Sequence, residues 1–273
     1  MSGEHFKLIE LSLYVNRKEY ITPHYIRVYL YGDGLQTVQD NTTVGVNNKI
    51  LIPPKGADKI YFPKIDSKKM QWIYPPEEVR PTIRTYTHRG VNAKRKELWI
   101  DFVSHGDEGP ASAWAINAKK GDLLGVLMSN EKTELYKTVQ NYVFVGDATA
   151  IPVIGSILEE LPISAKGVCI IEVFDENDKQ NLFTKASIEL IWIYNTHPQM
   201  GSELANWLKK LPLPEEDRFA YIAAEFTTVK NIRQYLRKER LWNRDEVSAY
   251  SHWKSGISED RSEAERRKEN EPQ

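Results

Sequence analysis

The sequence predicts an antiparallel β-barrel followed by an α/β domain built on an open parallel sheet. Three observations carry this reading. Up to about residue 130, short alternating or β-branched runs are punctuated by Gly, Pro, Asn and Asp, the pattern of many short strands. From about residue 138, short all-apolar runs alternate with helical stretches, which signals parallel strands covered on both faces. The chain has 273 residues, 41% of them hydrophobic, enough for two cores.

In the first half, Tyr25–Tyr31, Lys49–Ile52, Thr82–Thr87, Leu98–Val103 and Leu123–Leu127 read as barrel strands. One helix interrupts them, Ser112–Ala118, with Ser112 as its cap after Gly109-Pro110. In the second half, Tyr142–Val145, Val168–Phe174, Leu190–Tyr194 and Phe219–Ala223 read as parallel strands. The helices between them are Ala150–Leu161, Gly201–Leu211 and Thr228–Arg240; the last places Val229, Ile232, Tyr235 and Leu236 on one face. The boundary is expected in the polar stretch Ser129–Gln140, giving domains 1–132 and 133–273. The tail Ser258–Gln273 is almost wholly charged and polar, so a solvated helix or a disordered segment is expected there.

Composition excludes several classes of function. Lys and Arg number 37 against 38 Asp and Glu, a net charge of −1, so no global field draws the chain to nucleic acid or to an anionic membrane. The one cysteine, Cys169, permits neither an intramolecular disulfide nor a thiolate metal site. Six scattered histidines give no acid-base dyad, no nucleophile triad and no metal-ligand set. The N-terminus has no basic segment followed by an apolar one, and no apolar run approaches the ~20 residues that span a bilayer. A soluble, cytoplasmic monomer is expected.

Four segments carry the chemistry. Arg84-Thr85-Tyr86-Thr87 combines a bidentate cation, a flat ring and a hydroxyl on one strand. Asp101-Phe102-Val103-Ser104-His105-Gly106 is followed by Gly109-Pro110-Ala111-Ser112-Ala113-Trp114, a turn opening a helix whose first amides and positive dipole end suit a phosphate. Gly146-Asp147-Ala148-Thr149-Ala150-Ile151-Pro152 follows the first parallel strand, where ligands bind in open α/β sheets. Ala249 to Gly256, with Trp253-Lys254, ends the last strand. No Gly-x-Gly-x-x-Gly fingerprint occurs.

In order and spacing these segments resemble the siderophore-interacting protein family, flavin enzymes of the ferredoxin-reductase-like superfamily. The resemblance runs from Tyr25 to Asp260. It implies an FAD-binding barrel and an NAD(P)H-binding-like second domain. Arg84 would pair with the FAD pyrophosphate, Tyr86 would lie on the isoalloxazine, and Thr87 would meet the ring near N5, with Thr85 between them. Asp101, Val103, His105, Pro110, Ala111 and Ser112 would line the diphosphate side of the cofactor. Asp147 and Thr149 would flank the ring-stacking region, and Trp253 would reach the flavin edge or adenine; Trp114 is expected to pack.

The implied activity is reduction of a ferric siderophore for iron acquisition, with NADH, NADPH or a reduced ferredoxin as donor. NADH is preferred over NADPH because the place after Leu190–Tyr194 reads Asn195-Thr196-His197-Pro198, without the Arg that would meet a 2'-phosphate. Ala224 before Glu225 replaces a glycine of the family pattern and weakens the case for close dinucleotide approach; ferredoxin stays open as donor and partner. Lys49, Lys55, Lys254 and Arg261 are the cations expected to attract an anionic ferric siderophore. Two other functions fit less of the pattern: a flavin reductase serving another acceptor, and a non-catalytic siderophore-binding protein.

Overall fold

A computed structural model describes residues 8–66, 71–107 and 109–257. The chain divides into two compact units, Met1–Glu134 and Leu135–Gln273.

The first unit is a closed barrel. Its elements are β1 (Leu8–Thr22), β2 (Tyr25–Tyr31), α1 (Leu35–Asn41), β3 (Asn47–Ile52), β4 (Lys64–Asp66), β5 (Gln71–Ile73), β6 (Thr82–Asn92), β7 (Glu97–Val103), α2 (Pro110–Asn117) and β8 (Leu123–Ser129). The barrel order is β1-β2-β7-β6-β3-β8, all pairs antiparallel, while β4 and β5 form a separate two-stranded sheet. The five expected barrel strands are present. The sequence reading missed β1, although Ile9, Leu11, Leu13 and Val15 are buried and alternate with exposed Glu10, Ser12 and Tyr14. That period of two was the available signal. It also missed α1 and the β4–β5 hairpin.

Two boundaries are corrected. β6 does not end after Thr87 but runs to Asn92 through a bulge between His88 and Gly90. The bulge has a local cause: Trp99 lies over Gly90, where a Cβ would come within 2.0 Å of its ring. The expected helix Ser112–Ala118 instead spans Pro110–Asn117 and is capped by Gly109, because Pro at the first helical position needs no donor there.

The second unit contains β9 (Asn141–Asp147), α3 (Ile151–Glu160), β10 (Lys166–Val173), β11 (Ser187–Tyr194), α4 (Leu204–Lys209), β12 (Arg218–Glu225), α5 (Phe226–Gln234) and β13 (Val247–Trp253). The sheet order is β11-β10-β9-β12-β13, every pair parallel. The runs that sequence patterning marks as strands are buried on both faces where they are central, with Val143, Val145, Ile170, Ala220 and Ile222 in the core. α5 is shorter than expected: after Gln234 the chain takes a π-turn, Tyr235–Glu239, that still buries Tyr235 and Leu236. Among the described residues no helix is long and apolar enough to cross a membrane. The expected polar tail, Ser258–Gln273, lies outside the described residues.

His88, at the start of the bulge, is fully buried. Burial holds its imidazole down to about 4, more than the Val46 backbone restores, and Lys132 acts in the same direction as burial. The unfolded chain's imidazole titrates near 6.5, so between pH 6.5 and about 4 the unfolded state binds more protons than the folded one. Stability is therefore complete above this window and falls by up to about 1.4 kcal/mol per pH unit on descending through it. Melting temperature followed across the window should fall more steeply for the parent than for His88→Leu. Equal slopes would place acid lability elsewhere.

Candidate functional site

The Arg84 to Thr87 segment enters the barrel wall between β3 and β7. In the β3 register, Ile50 faces Arg84, Lys49 faces Thr85, Asn48 faces Tyr86 and Asn47 faces Thr87. Arg84 and Tyr86 therefore share one face of β6, and Thr85 and Thr87 share the other. The Tyr86 ring lies 4.6 Å from Phe102 of β7, and Phe102 lies 5.6 Å from Trp114 of α2. This column of three rings joins the motif strand, its neighbour and the helix. Arg84 donates from Nη1 to the Ile83 carbonyl at 2.7 Å, Lys49 donates to the Thr85 hydroxyl at 2.6 Å, and Thr87 is nearly buried.

On β7 the carboxylate of Asp101 is buried and accepts two hydrogen bonds from Arg27 of β2, at 2.6 and 2.8 Å. Sequence reasoning placed Asp101 among residues lining the cofactor; in the structure its side chain is engaged with Arg27. Val103 ends β7 opposite Tyr25. The loop beyond it is closed by Ser112, whose hydroxyl accepts from the His105 amide at 3.2 Å and donates to the Gly106 carbonyl at 2.6 Å. Ser112 is thus not the cap expected from sequence. It occupies the third helical position and holds the loop that leads into the helix.

The His105 ring lies against Gly109, where a Cβ would meet it at 2.6 Å. Helical bonding in α2 starts with the Ala113 amide on the Gly109 carbonyl, so the Ala111 and Ser112 amides precede it. Among the described residues no side chain caps this end, no acid stands in its first turn, and Pro110 is exposed. At the other end, Lys18 donates to the Ala115 carbonyl at 3.3 Å and to that of Ile116, fixing the helix by its negative pole. These donors suit a diphosphate: two amides at a positive helix end with no acid in its first turn, on the same ring column as Tyr86 and its strand.

The second unit presents a different edge. β9 ends at Gly146-Asp147, and a Cβ on Gly146 would come within 2.5 Å of Ala150 and 3.0 Å of the Ala223 carbonyl, so the turn requires glycine. Asp147 accepts from the Thr149 amide at 2.9 Å, the Thr149 hydroxyl at 2.5 Å and Trp253 Nε1 at 2.8 Å. With its proton on Asp147, the Thr149 oxygen accepts from His252 Nδ1 at 3.1 Å. His252 was missed from sequence because it lies 103 residues from Thr149. The structure thus gathers Asp147, Thr149 and Trp253, and binds them to one another.

Two further carboxylates stand at strand ends of the same sheet. Glu225 ends β12 and caps α5, accepting from the Thr227 and Thr228 amides at 2.6 and 3.2 Å. Glu172 of β10 pairs in register with Asp147 and accepts from Asn195 at 3.1 Å and Ser202 at 2.8 Å. Burial raises its pKa, against those two hydrogen bonds. Asn195, expected to suit a ribose hydroxyl, spends its amide group on Glu172 and the Gly201 carbonyl.

The candidate substrate cations are dispersed. Lys49 sits on β3; Lys55 is exposed in the turn after it; Lys254 is half-buried with Nζ 4.7 Å from the Phe226 ring centre; Arg261 lies outside the described residues.

Residues 14–131 match the siderophore-interacting FAD-binding domain, and residues 139–256 match the siderophore-interacting protein model. Ferric vibriobactin reductase ViuB of Vibrio cholerae is 31% identical over 268 residues, 97% of each chain. The NADPH-dependent ferric-chelate reductase of Escherichia coli K12 is 26% identical over 247 residues, 89% of this chain and 92% of that one. The crystal structure of the siderophore-interacting protein SipS from Aeromonas hydrophila superposes with a TM-score of 0.80 at 29% identity, covering 95% of this chain and 97% of that one. The chain belongs to the siderophore-interacting protein family.

Proposed function

We propose that the protein is an FAD-dependent reductase of ferric siderophores, drawing electrons from NADH or a reduced ferredoxin and releasing Fe(II) in the cytoplasm. The observation that carries the reading is the open N-terminus of α2, tied by the Trp114–Phe102–Tyr86 column to the strand that bears Arg84. Arg84 and the Ala111 and Ser112 amides hold the pyrophosphate. Tyr86 supports the flavin ring, and Thr87 and Thr85 border it. His105, Val103 and Pro110 line the loop and turn beside the diphosphate, while Asp101 keeps β7 in place through Arg27.

FAD, when bound, accepts two electrons together and releases them singly, which matches a hydride donor to one-electron ferric iron. The protein's own part is to bind and orient, since no acid-base step is required. Relatives named ferric vibriobactin reductase and ferric-chelate reductase support the acceptor class. For the donor, the chain after β11 reads Asn195-Thr196-His197-Pro198, with no Arg to pair with the 2'-phosphate of NADPH, which favours NADH, although one relative is named NADPH-dependent. Asp147 and Thr149 are assigned to the nicotinamide end of such a donor, and Trp253 to the same region. Lys49, Lys55 and Lys254 attract the ferric siderophore, with Arg261 as a further candidate.

The purified protein should release FAD on heating. Arg84→Ala should lower flavin occupancy more than Tyr86→Ala, each loss being about 1–3 kcal/mol in binding. Recovery of FMN alone, or full flavin content in both variants, would remove the assignment.

Anaerobic reduction of a ferric siderophore, assayed in parallel with NADH, NADPH and reduced ferredoxin, tests the activity. NADH or ferredoxin should support faster turnover than NADPH. An NADPH preference would overturn the donor reading, and no reduction with any donor would overturn the function.

Lys254→Glu should raise KM for an anionic ferric siderophore and weaken the salt dependence of its reduction, with flavin content unchanged. Unchanged kinetics and salt dependence would remove Lys254 from the substrate site.

A further inference from the structure

The order of residues along β6 gives the cofactor a direction. On the flavin reading just proposed, Tyr86 and Thr87 meet the ring while Arg84 meets the pyrophosphate. That interval is about 7–10 Å of extended strand. In FAD the pyrophosphate joins the flavin half to the adenosine half, so adenosine lies on the opposite side of Arg84, toward the start of β6 at Thr82.

The chain leading into that end of the strand presents an exposed aromatic surface. Tyr74 is 49% exposed, and its neighbours Trp72 and Ile73 on β5 are 39% and 57% exposed. The guanidinium of Arg80, also exposed, stands 5.8 Å from the Tyr74 ring centre, and its Nε donates to the Pro75 carbonyl at 3.0 Å. Pro75, Pro76 and buried Pro81 limit the conformations of the link. A two-stranded hairpin is marginal by itself, and so large an apolar exposure on one calls for a partner. Flat face and guanidinium together suit a neutral heteroaromatic ring attached to phosphate: the ring stacks on tyrosine, and the cation favours both the π-face and the nearby anion.

We infer that Tyr74 and Arg80 form the adenine subsite of the FAD site, making the β4–β5 hairpin the element that distinguishes FAD from FMN. This rests on the flavin assignment, and the two can fail separately because FMN lacks the adenosine half.

Flavin-stripped protein titrated with FAD and with FMN, by quenching of flavin fluorescence, provides the test. Tyr74→Ala should weaken FAD binding about tenfold, the scale of a lost stacking contact, and leave FMN binding unchanged. Unchanged FMN affinity also shows that the barrel remains folded. Tyr74→Phe should bind FAD like the parent, and Arg80→Gln should weaken FAD selectively. If Tyr74→Ala weakens both flavins equally, or neither, the subsite is wrong and the hairpin faces something else, such as a protein partner. A parent that binds neither flavin would overturn the flavin reading and this inference together.

Discussion

The barrel site depends on one contact chain, the mutually tilted rings of Tyr86, Phe102 and Trp114. Phe102 is wholly buried and lies between a residue of the motif strand and a residue of the helix. An eight-residue helix has little stability of its own, so its placement comes from packing. Two polar devices complete that placement. Lys18 holds the carbonyl end, and Ser112 closes the loop before the amide end. The Arg27–Asp101 pair acts one strand further out, joining β2 to β7. Burying that carboxylate is costly, and two short, well-directed hydrogen bonds are what make it tolerable.

The helix starts of the two units contrast in a way that bears on function. α2 begins without a side-chain cap, as does α3, whereas Glu225 occupies the first amides of α5 and Asp147 accepts from the Thr149 amide in the short turn ahead of α3. A helix N-terminus filled by its own carboxylate has already satisfied the donors a phosphate would use, and it adds a repelling charge. At the Asp147 and Glu225 turns of the second unit's sheet edge, carboxylates therefore stand where a diphosphate would need open amides. A nicotinamide ring, neutral or cationic, meets no such conflict there. This is why the donor was the least legible part of the sequence: position and charge point to different ligand chemistry.

The fold was legible wherever one signal dominated. The central parallel strands are continuous apolar runs, and nothing competes with that pattern. β1 has an equally regular alternation in its first half, but Asn16-Arg17-Lys18-Glu19 breaks it and makes the segment look like a loop. Its strand character is maintained there by pairing with β2, a non-local fact. The β6 extension was hidden for a similar reason. His88-Arg89-Gly90 reads as a strand end, and only Trp99 on the neighbouring strand shows why the glycine belongs inside.

At the site, sequence identified which segments matter more readily than what each side chain does. Asp101, Ser112, Asp147 and Trp253 all belong to the four segments, yet each makes its main side-chain bond within the protein: to Arg27, to the His105–Gly106 loop, to Thr149 and Trp253, and to Asp147. A polar residue that contacts a ligand and one that shapes the backbone around it have the same chemistry, and a one-dimensional motif cannot separate them. What separates them is which donors are already used. By that criterion the amide end of α2 keeps donors that no side chain among the described residues caps, while Asp101, Ser112, Asp147 and Trp253 are each bonded within their own unit.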